Sequence, residues 1–174
     1  ACCNHQGDFD LALKMIKMAK LCGSDYVKFQ KRNCIKAVPK KIQNLPHPCA
    51  ANSFGETYLK HRQAMEFSIE QHIELKKYCE EIGIKYACSV WDLDSADEIM
   101  SLNPDFIKIP SACNYDFTLL DHVFNNYNKK IHISFGMIKK NEIKNLIAYL
   151  SDKKDRTVAY WTTSGYPVKF KELY

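Results

Sequence analysis

No run in this sequence approaches the ~20 consecutive apolar residues that a membrane-crossing helix needs, so no membrane partner is expected. There is no Cys-x-x-Cys pair, although the chain carries eight cysteines: Cys2, Cys3, Cys22, Cys34, Cys49, Cys79, Cys88 and Cys113. Without paired spacing they form no disulfide framework, and the expectation is a reducing, cytoplasmic setting. Cys2, Cys3 and His5 lie close in sequence, but no second pair completes a zinc site. No glycine-rich G-x-G-x-x-G follows any strand-like run, which weakens a dinucleotide-binding reading. No Ser–His–Asp or Cys–His pairing can be built from spacing. The net charge of +5 is spread over helix-like segments rather than gathered into one patch. That argues against a nucleic-acid surface and leaves room for a small anionic substrate.

What is present is an alternation of two periods. "DFDLALKMIKMAKLCG" has helical spacing, with Asp8 as N-cap and Gly23 as stop. "DYVKF" reads as a short strand, rich in aromatic and β-branched residues. "SIEQHIELKKYCEEIG" is a second helix, with a Ser68–Gln71 capping box and Gly83 at its end. "IKYACSV", "DFIKIPS", "KIHISFG" and "RTVAYWTTS" read as strands, and "SADEIMSL", "FTLLDHVFNNY" and "KNEIKNLIAYL" as helices. With an opening strand stub before Gly7, the repeat predicts a parallel sheet with right-handed crossovers. A repeat of ~20–27 residues suits a (β/α)₈ barrel or a doubly wound sheet. Residues 31–58 read as one long irregular stretch, the kind of segment that serves as a lid or binding loop.

The strand ends carry the chemistry. Lys28 and Gln30, Ser89, Lys108 and Ser111, Ser134 and Gly136, then Thr163 and Ser164 follow apolar runs one strand after another. Ligands of parallel α/β folds sit at the carboxyl ends of the strands. Two lysines on separate strands, each in a Val/Ile-Lys-Phe/Ile context, together with serine hydroxyls, fit a phosphate or carboxylate. Asp92 or Asp94 can cap the helix after Ser89, which frees Ser89 for another task. Asn114 or Asp116 can do the same after Ser111. His5 sits at the end of the stub, where it can face a pocket or pack. His72 and His122 read as surface or boundary helix residues, and His132 as a packed strand histidine. Cys22, Cys79 and Cys88 have apolar contexts of buried thiols.

Several stretches together, "NHQGD", "VKFQKR", "GETYLKHRQAMEFS", "FIKIPSACN", "ISFGM" and "TTSGYPVKF", resemble the N-acetylneuraminate (sialic acid) synthase family, which includes legionaminic and pseudaminic acid synthase-like members. The resemblance implies a TIM barrel, present here as an incomplete barrel of about six βα units within 1–174. It further implies that the first strand and the last strands are truncated and that the C-terminal antifreeze-like domain is absent from the chain. It implies a transferase that forms a C–C bond, condensing phosphoenolpyruvate with N-acetylmannosamine or a related N-acetylated amino sugar. The products are phosphate and a nine-carbon 2-keto sugar acid. Carried over by position, Lys28, Ser89, Lys108, Ser111, Ser134 and Ser164 hold phosphoenolpyruvate, and Gln30, Asn52 and Tyr166 touch the sugar.

A divalent metal, Mn²⁺ or Mg²⁺, is implied for the full-length enzyme as a Lewis acid on the sugar aldehyde. Its histidine ligands, and the family's first-strand glutamate, are expected outside this chain, so no catalytic or metal-binding residue is assignable within it. A homodimer is implied at full length, and the fragment alone is expected to be inactive. Cys113 stands where the family often has an acid, which bears on sugar choice. Two other readings remain. One is a phosphoenolpyruvate-dependent 3-deoxy sugar acid synthase acting on a phosphorylated sugar, for which Arg32, Arg62 and the Lys-rich loop could supply the second anion site. The other is a non-catalytic barrel module.

Overall fold

The computed structural model describes residues 1–165 and 168–170. The chain divides into two compact units, Ala1–Asp105 and Phe106–Tyr174.

In the first unit, residues 1–7 form successive turns rather than the expected strand stub. Backbone bonds from Asn4 to Ala1 and from Gln6 to Cys3 close them, with Cys2, Gln6 and Gly7 all at positive φ. Left-handed residues break the extended pattern a strand requires. At Gly7 a Cβ would meet the Ala64 carbonyl oxygen at 2.2 Å, so glycine is needed there. Helix α1 (Phe9–Leu21) starts at Asp8, whose side chain accepts from the Leu11 amide. It stops where Gly23 takes φ +80°. Cys22, expected buried, is exposed because it sits at this helix end, where the chain turns outward.

Strand β1 (Tyr26–Lys31) pairs in parallel with β2 (Lys85–Val90), and Lys28 lies opposite Ala87 while Gln30 lies opposite Ser89. The period of two puts Val27 and Phe29 on the buried side and Lys28 and Gln30 on the other, half-buried one. Phe29 stacks on Tyr86 at 6.1 Å and meets Phe67 and His72 edge-on or tilted. Burying such a ring is worth about 2–3 kcal/mol.

The stretch 31–58 is not one irregular loop. It holds α2 (Cys34–Ala37), α3 (Lys40–Gln43) and a 3₁₀ turn at Ala50–Asn52. Asn33 caps α2 by accepting from the Ile35 and Lys36 amides. Elements of three or four residues are too short to print a period on the sequence. Helix α4 (Tyr58–Ala64), capped by Thr57, was also not anticipated. Helix α5 (Ile69–Ile82) has the expected capping box and the Gly83 terminus, and α6 (Leu93–Ser101) is capped by Asp92. His72 corrects the surface reading: it is fully buried on α5, sharing a 2.6 Å hydrogen bond with the Tyr86 hydroxyl.

In the second unit, β3 (Phe106–Ile109), β4 (Lys130–Ser134) and β5 (Thr157–Tyr160) pair in parallel. Helix α7 (Phe117–Asn126) is capped by Asp116. Helix α8 (Lys140–Leu150) leads through a 3₁₀ turn to β5. Ile131 and Ile133 are buried on one side of β4, while His132 stacks on Phe106 at 3.7 Å and bonds the Tyr160 hydroxyl at 2.7 Å. Strand β5 ends at Tyr160, short of Thr163 and Ser164, which lie in the coil that follows.

Candidate active site

The first unit gathers one group of polar side chains at the carboxyl ends of β1 and β2. Lys28 Nζ donates to Ser89 Oγ at 3.1 Å. Because Lys28 is in register with Ala87, its side chain reaches two residues further along the neighbouring strand. Asp92 caps α6 as one of the two expected candidates, so the Ser89 hydroxyl is spared that task.

Gln30 is held from several sides. Its Oε1 accepts from Arg32 Nη2 at 2.6 Å and from Trp91 Nε1 at 3.1 Å, and its Nε2 donates to the Cys2 sulfur. The Arg32 guanidinium lies 4.4 Å over the Trp91 ring and pairs through Nε with Glu66 at 2.6 Å. Glu66 also accepts from the Arg32 amide. Burial pushes the Glu66 carboxyl up to about 6, with Arg32 opposing the shift. A hydrogen bond with the Cys3 thiol holds the free Cys2 thiol below its usual range, with Lys28 adding to the effect. The turn of residues 1–7 is brought to this strand end by a 3.0 Å bond from the Ala1 nitrogen to the Lys28 carbonyl.

His5 packs rather than facing a pocket. It is buried, stacked on Phe67 at 4.2 Å, and its Nδ1 accepts from the Gly7 amide. Burial pulls its ring below the usual histidine range. Asn52 sits exposed at the end of its 3₁₀ turn and is not among the residues bonded to Gln30.

The second unit gathers another group. Lys108 lies half-buried on β3, opposite His132 in register. Ser111 opens a 3₁₀ turn after β3, and Ser134 ends β4. Gly136 marks where three segments meet. A Cβ added there would lie 2.5 Å from Ser164 Oγ, 2.7 Å from Ser111 Oγ and 3.0 Å from the Thr162 carbonyl oxygen. Buried Asn114 ties the turn together, donating to the Ser134 carbonyl at 2.9 Å and to the Gly136 carbonyl at 2.8 Å. Ser111 and Ser164 therefore lie close to each other around Gly136, just past the end of β4. Tyr166, expected at the sugar, lies outside the described residues.

Trp91 and Glu66 are not among the residues expected at the site, Arg32 is expected there only for a second phosphate, and Asn114 only as a helix cap. The one signal for Arg32 was its place two residues beyond Gln30, on the same strand face. Trp91 follows β2 directly, and nothing in its spacing marked it. Among the described residues no group of three or more His, Cys, Asp or Glu side chains is placed to hold a metal ion.

These features define an α/β protein of parallel strands whose lysine, amide and hydroxyl side chains collect at the strand ends. The chain belongs to the NeuB family, matching it over residues 15–174. It is 33% identical over 170 residues to human N-acetylneuraminate-9-phosphate synthase, covering 98% of this chain and 47% of that protein. It is 31% identical over 176 residues to N,N'-diacetyllegionaminic acid synthase of Campylobacter jejuni, covering 98% of this chain and 52% of the relative. The chain thus spans about half the length of the curated relatives it matches. In fold it is similar to N-acetylneuraminic acid synthetase from Leptospira borgpetersenii, solved in complex with citrate. There the TM-score is 0.82 at 22% identity, over 99% of this chain and 55% of that one.

Proposed function

We propose that the protein containing this chain is a nonulosonic acid synthase. It condenses phosphoenolpyruvate with N-acetylmannosamine or a diacetamido relative, giving a nine-carbon 2-keto acid and phosphate. C3 of phosphoenolpyruvate bonds to the sugar aldehyde carbon, water adds at C2, and phosphate leaves with cleavage of the C–O bond. Family membership and the synthase names of the relatives support this reading. The observation that carries it is the Lys28–Ser89 contact at the strand ends, a cation beside a hydroxyl with no acid in the pair.

Lys28, Ser89, Lys108, Ser111, Ser134 and Ser164 are assigned to phosphoenolpyruvate on the family resemblance. Lysine supplies the point charge, and the hydroxyls give short, oriented bonds. Gln30 is assigned to the amino sugar, with Asn52 and Tyr166 carried over from the resemblance. Among the described residues no group of three or more His, Cys, Asp or Glu side chains is placed to hold the implied Mn²⁺ or Mg²⁺, and the work assigned to this chain is binding and orienting the two substrates. A TIM barrel, a C-terminal antifreeze-like domain, a homodimer and a cytoplasmic location are proposed for the full-length protein on the same resemblance.

The test is phosphate release from phosphoenolpyruvate by the full-length protein with Mn²⁺ and a panel of sugars. The panel holds N-acetylmannosamine, its 6-phosphate and 2,4-diacetamido sugars, since the human relative's name carries a 9-phosphate. Turnover with one of them is expected, and no phosphate with any N-acetylated sugar would sink the synthase reading.

A further inference from the structure

The Gln30 side chain can be oriented without ambiguity. An amide's oxygen and nitrogen are usually assigned from their neighbours. Here two neighbours are donors only: the Arg32 guanidinium and the Trp91 indole N–H have no acceptor atom to offer. Both approach the same terminal atom of Gln30, at 2.6 Å and 3.1 Å, so that atom is the oxygen. Two donors occupy its two lone pairs. The nitrogen has two N–H groups, and one is directed at the Cys2 sulfur.

The clamp is itself held. Arg32 is 6% exposed, and its Nε is paired with Glu66 while its face lies on the Trp91 ring. A planar guanidinium held beside the Glu66 carboxylate and by stacking has little freedom to withdraw from the amide oxygen. Trp91 therefore does two things: its ring supports Arg32, and its N–H completes the pair of donors on Gln30.

We propose that Arg32 and Trp91 are positioning residues that lock the Gln30 carboxamide, so that Gln30 can offer a ligand one N–H donor and no acceptor. The inference rests on the reading of Gln30 as a sugar contact and sharpens it: the sugar must present an oxygen acceptor there, such as an acetamido carbonyl or an ether or hydroxyl oxygen. A hydroxyl approaching as donor finds the amide oxygen already filled.

The experiment uses the full-length protein. Trp91→Phe keeps an aromatic, though smaller, ring beside Arg32 and removes the indole N–H, and Gln30→Leu deletes the amide at similar size. Phosphate release is measured for wild type, both single variants and the double variant, titrating each substrate. Trp91→Phe is expected to raise KM for the amino sugar about fivefold, as for one lost hydrogen bond, with KM for phosphoenolpyruvate unchanged. In the Gln30→Leu background the Trp91→Phe effect is expected to vanish, because it acts through the missing amide. Additive effects, or equal rises in both KM values, overturn the proposal.

A second readout needs no turnover. The Gln30 side-chain amide signals in a ¹⁵N–¹H spectrum are identified as those lost in Gln30→Leu. They are expected to move in Trp91→Phe and again in Arg32→Lys, and signals unmoved in both variants overturn the lock. If wild type releases no phosphate with any N-acetylated sugar, the synthase reading fails, and the amide signals still decide the lock.

Discussion

Lys28 and Ser89, on adjacent parallel strands, meet at 3.1 Å through Nζ and Oγ although the strand register sets Lys28 against Ala87. The lysine leans forward along β2 toward the carboxyl end. A lysine in the middle of a core-forming strand is costly unless its charge finds partners. Here the backbone alternation keeps it off the buried face, and the hydroxyl receives it at the mouth of the strand pair.

The first prediction concerns that lysine. Lys28→Ala in the full-length protein should lower phosphate release by about two orders of magnitude, the usual scale for losing one positioned cationic donor. Ser89→Ala should cost less, because the charge remains. Steady-state assays with saturating amino sugar check this, and unchanged turnover in Lys28→Ala would remove its assigned role.

Gly136→Ala should be damaging despite being one methyl group. The new Cβ would lie 2.5 Å from Ser164 Oγ and 2.7 Å from Ser111 Oγ, so both serines must move. Overpacking of this kind costs about 1–3 kcal/mol. Thermal melting should show a drop of a few degrees, and KM for phosphoenolpyruvate should rise more than KM for the sugar.

Asn114→Ala should destabilise the turn after β4. One buried amide nitrogen serves the carbonyls of both Ser134 and Gly136, and its removal leaves both without that donor. The expected loss is about 2–4 kcal/mol, read from urea unfolding, with little change in the slope of the transition.

His72 predicts a pH dependence of stability. Burial holds its ring down to about 3, and Nδ1 already shares a bond with Tyr86. Its other ring nitrogen has no hydrogen-bond partner, so protonation would strand an N–H there. The unfolded chain takes up the proton near pH 6.5, while the folded chain stays neutral until about pH 3. Stability is therefore lost as pH falls through that window. Between pH 7.5 and 5 the loss from this group is about 2 kcal/mol. Denaturation of wild type and His72→Gln at both pH values isolates it, because other titrating groups cancel. Equal losses in the two proteins would contradict the assignment.

Local signals carried much of the fold. Asp8, Ser68 and Asp92 each start a helix because a short polar side chain can satisfy free amides in the first turn. Gly23 and Gly83 end helices because they take positive φ without strain. The split of Lys28 and Gln30 from Val27 and Phe29 follows from strand geometry alone. Each of these rests on contacts within a few residues, so the sequence by itself determined them, along with the alternation of strands and helices from β2 onward.

What lies between distant residues was decided only by the tertiary structure. Nothing near Gln30 in sequence reveals that Trp91, 61 positions away, fills its oxygen, or that Glu66 anchors Arg32. His72 has the same local pattern as a surface helix residue, and only the aromatic group of Phe29, Phe67 and Tyr86 makes it a buried one. The turns of residues 1–7 and the short helices within 31–58 carry too few residues for a period to declare itself. The sequence marked the strand-end lysines and hydroxyls because alternation is a short-range property. The partners that orient them are set by long-range packing, which no spacing records.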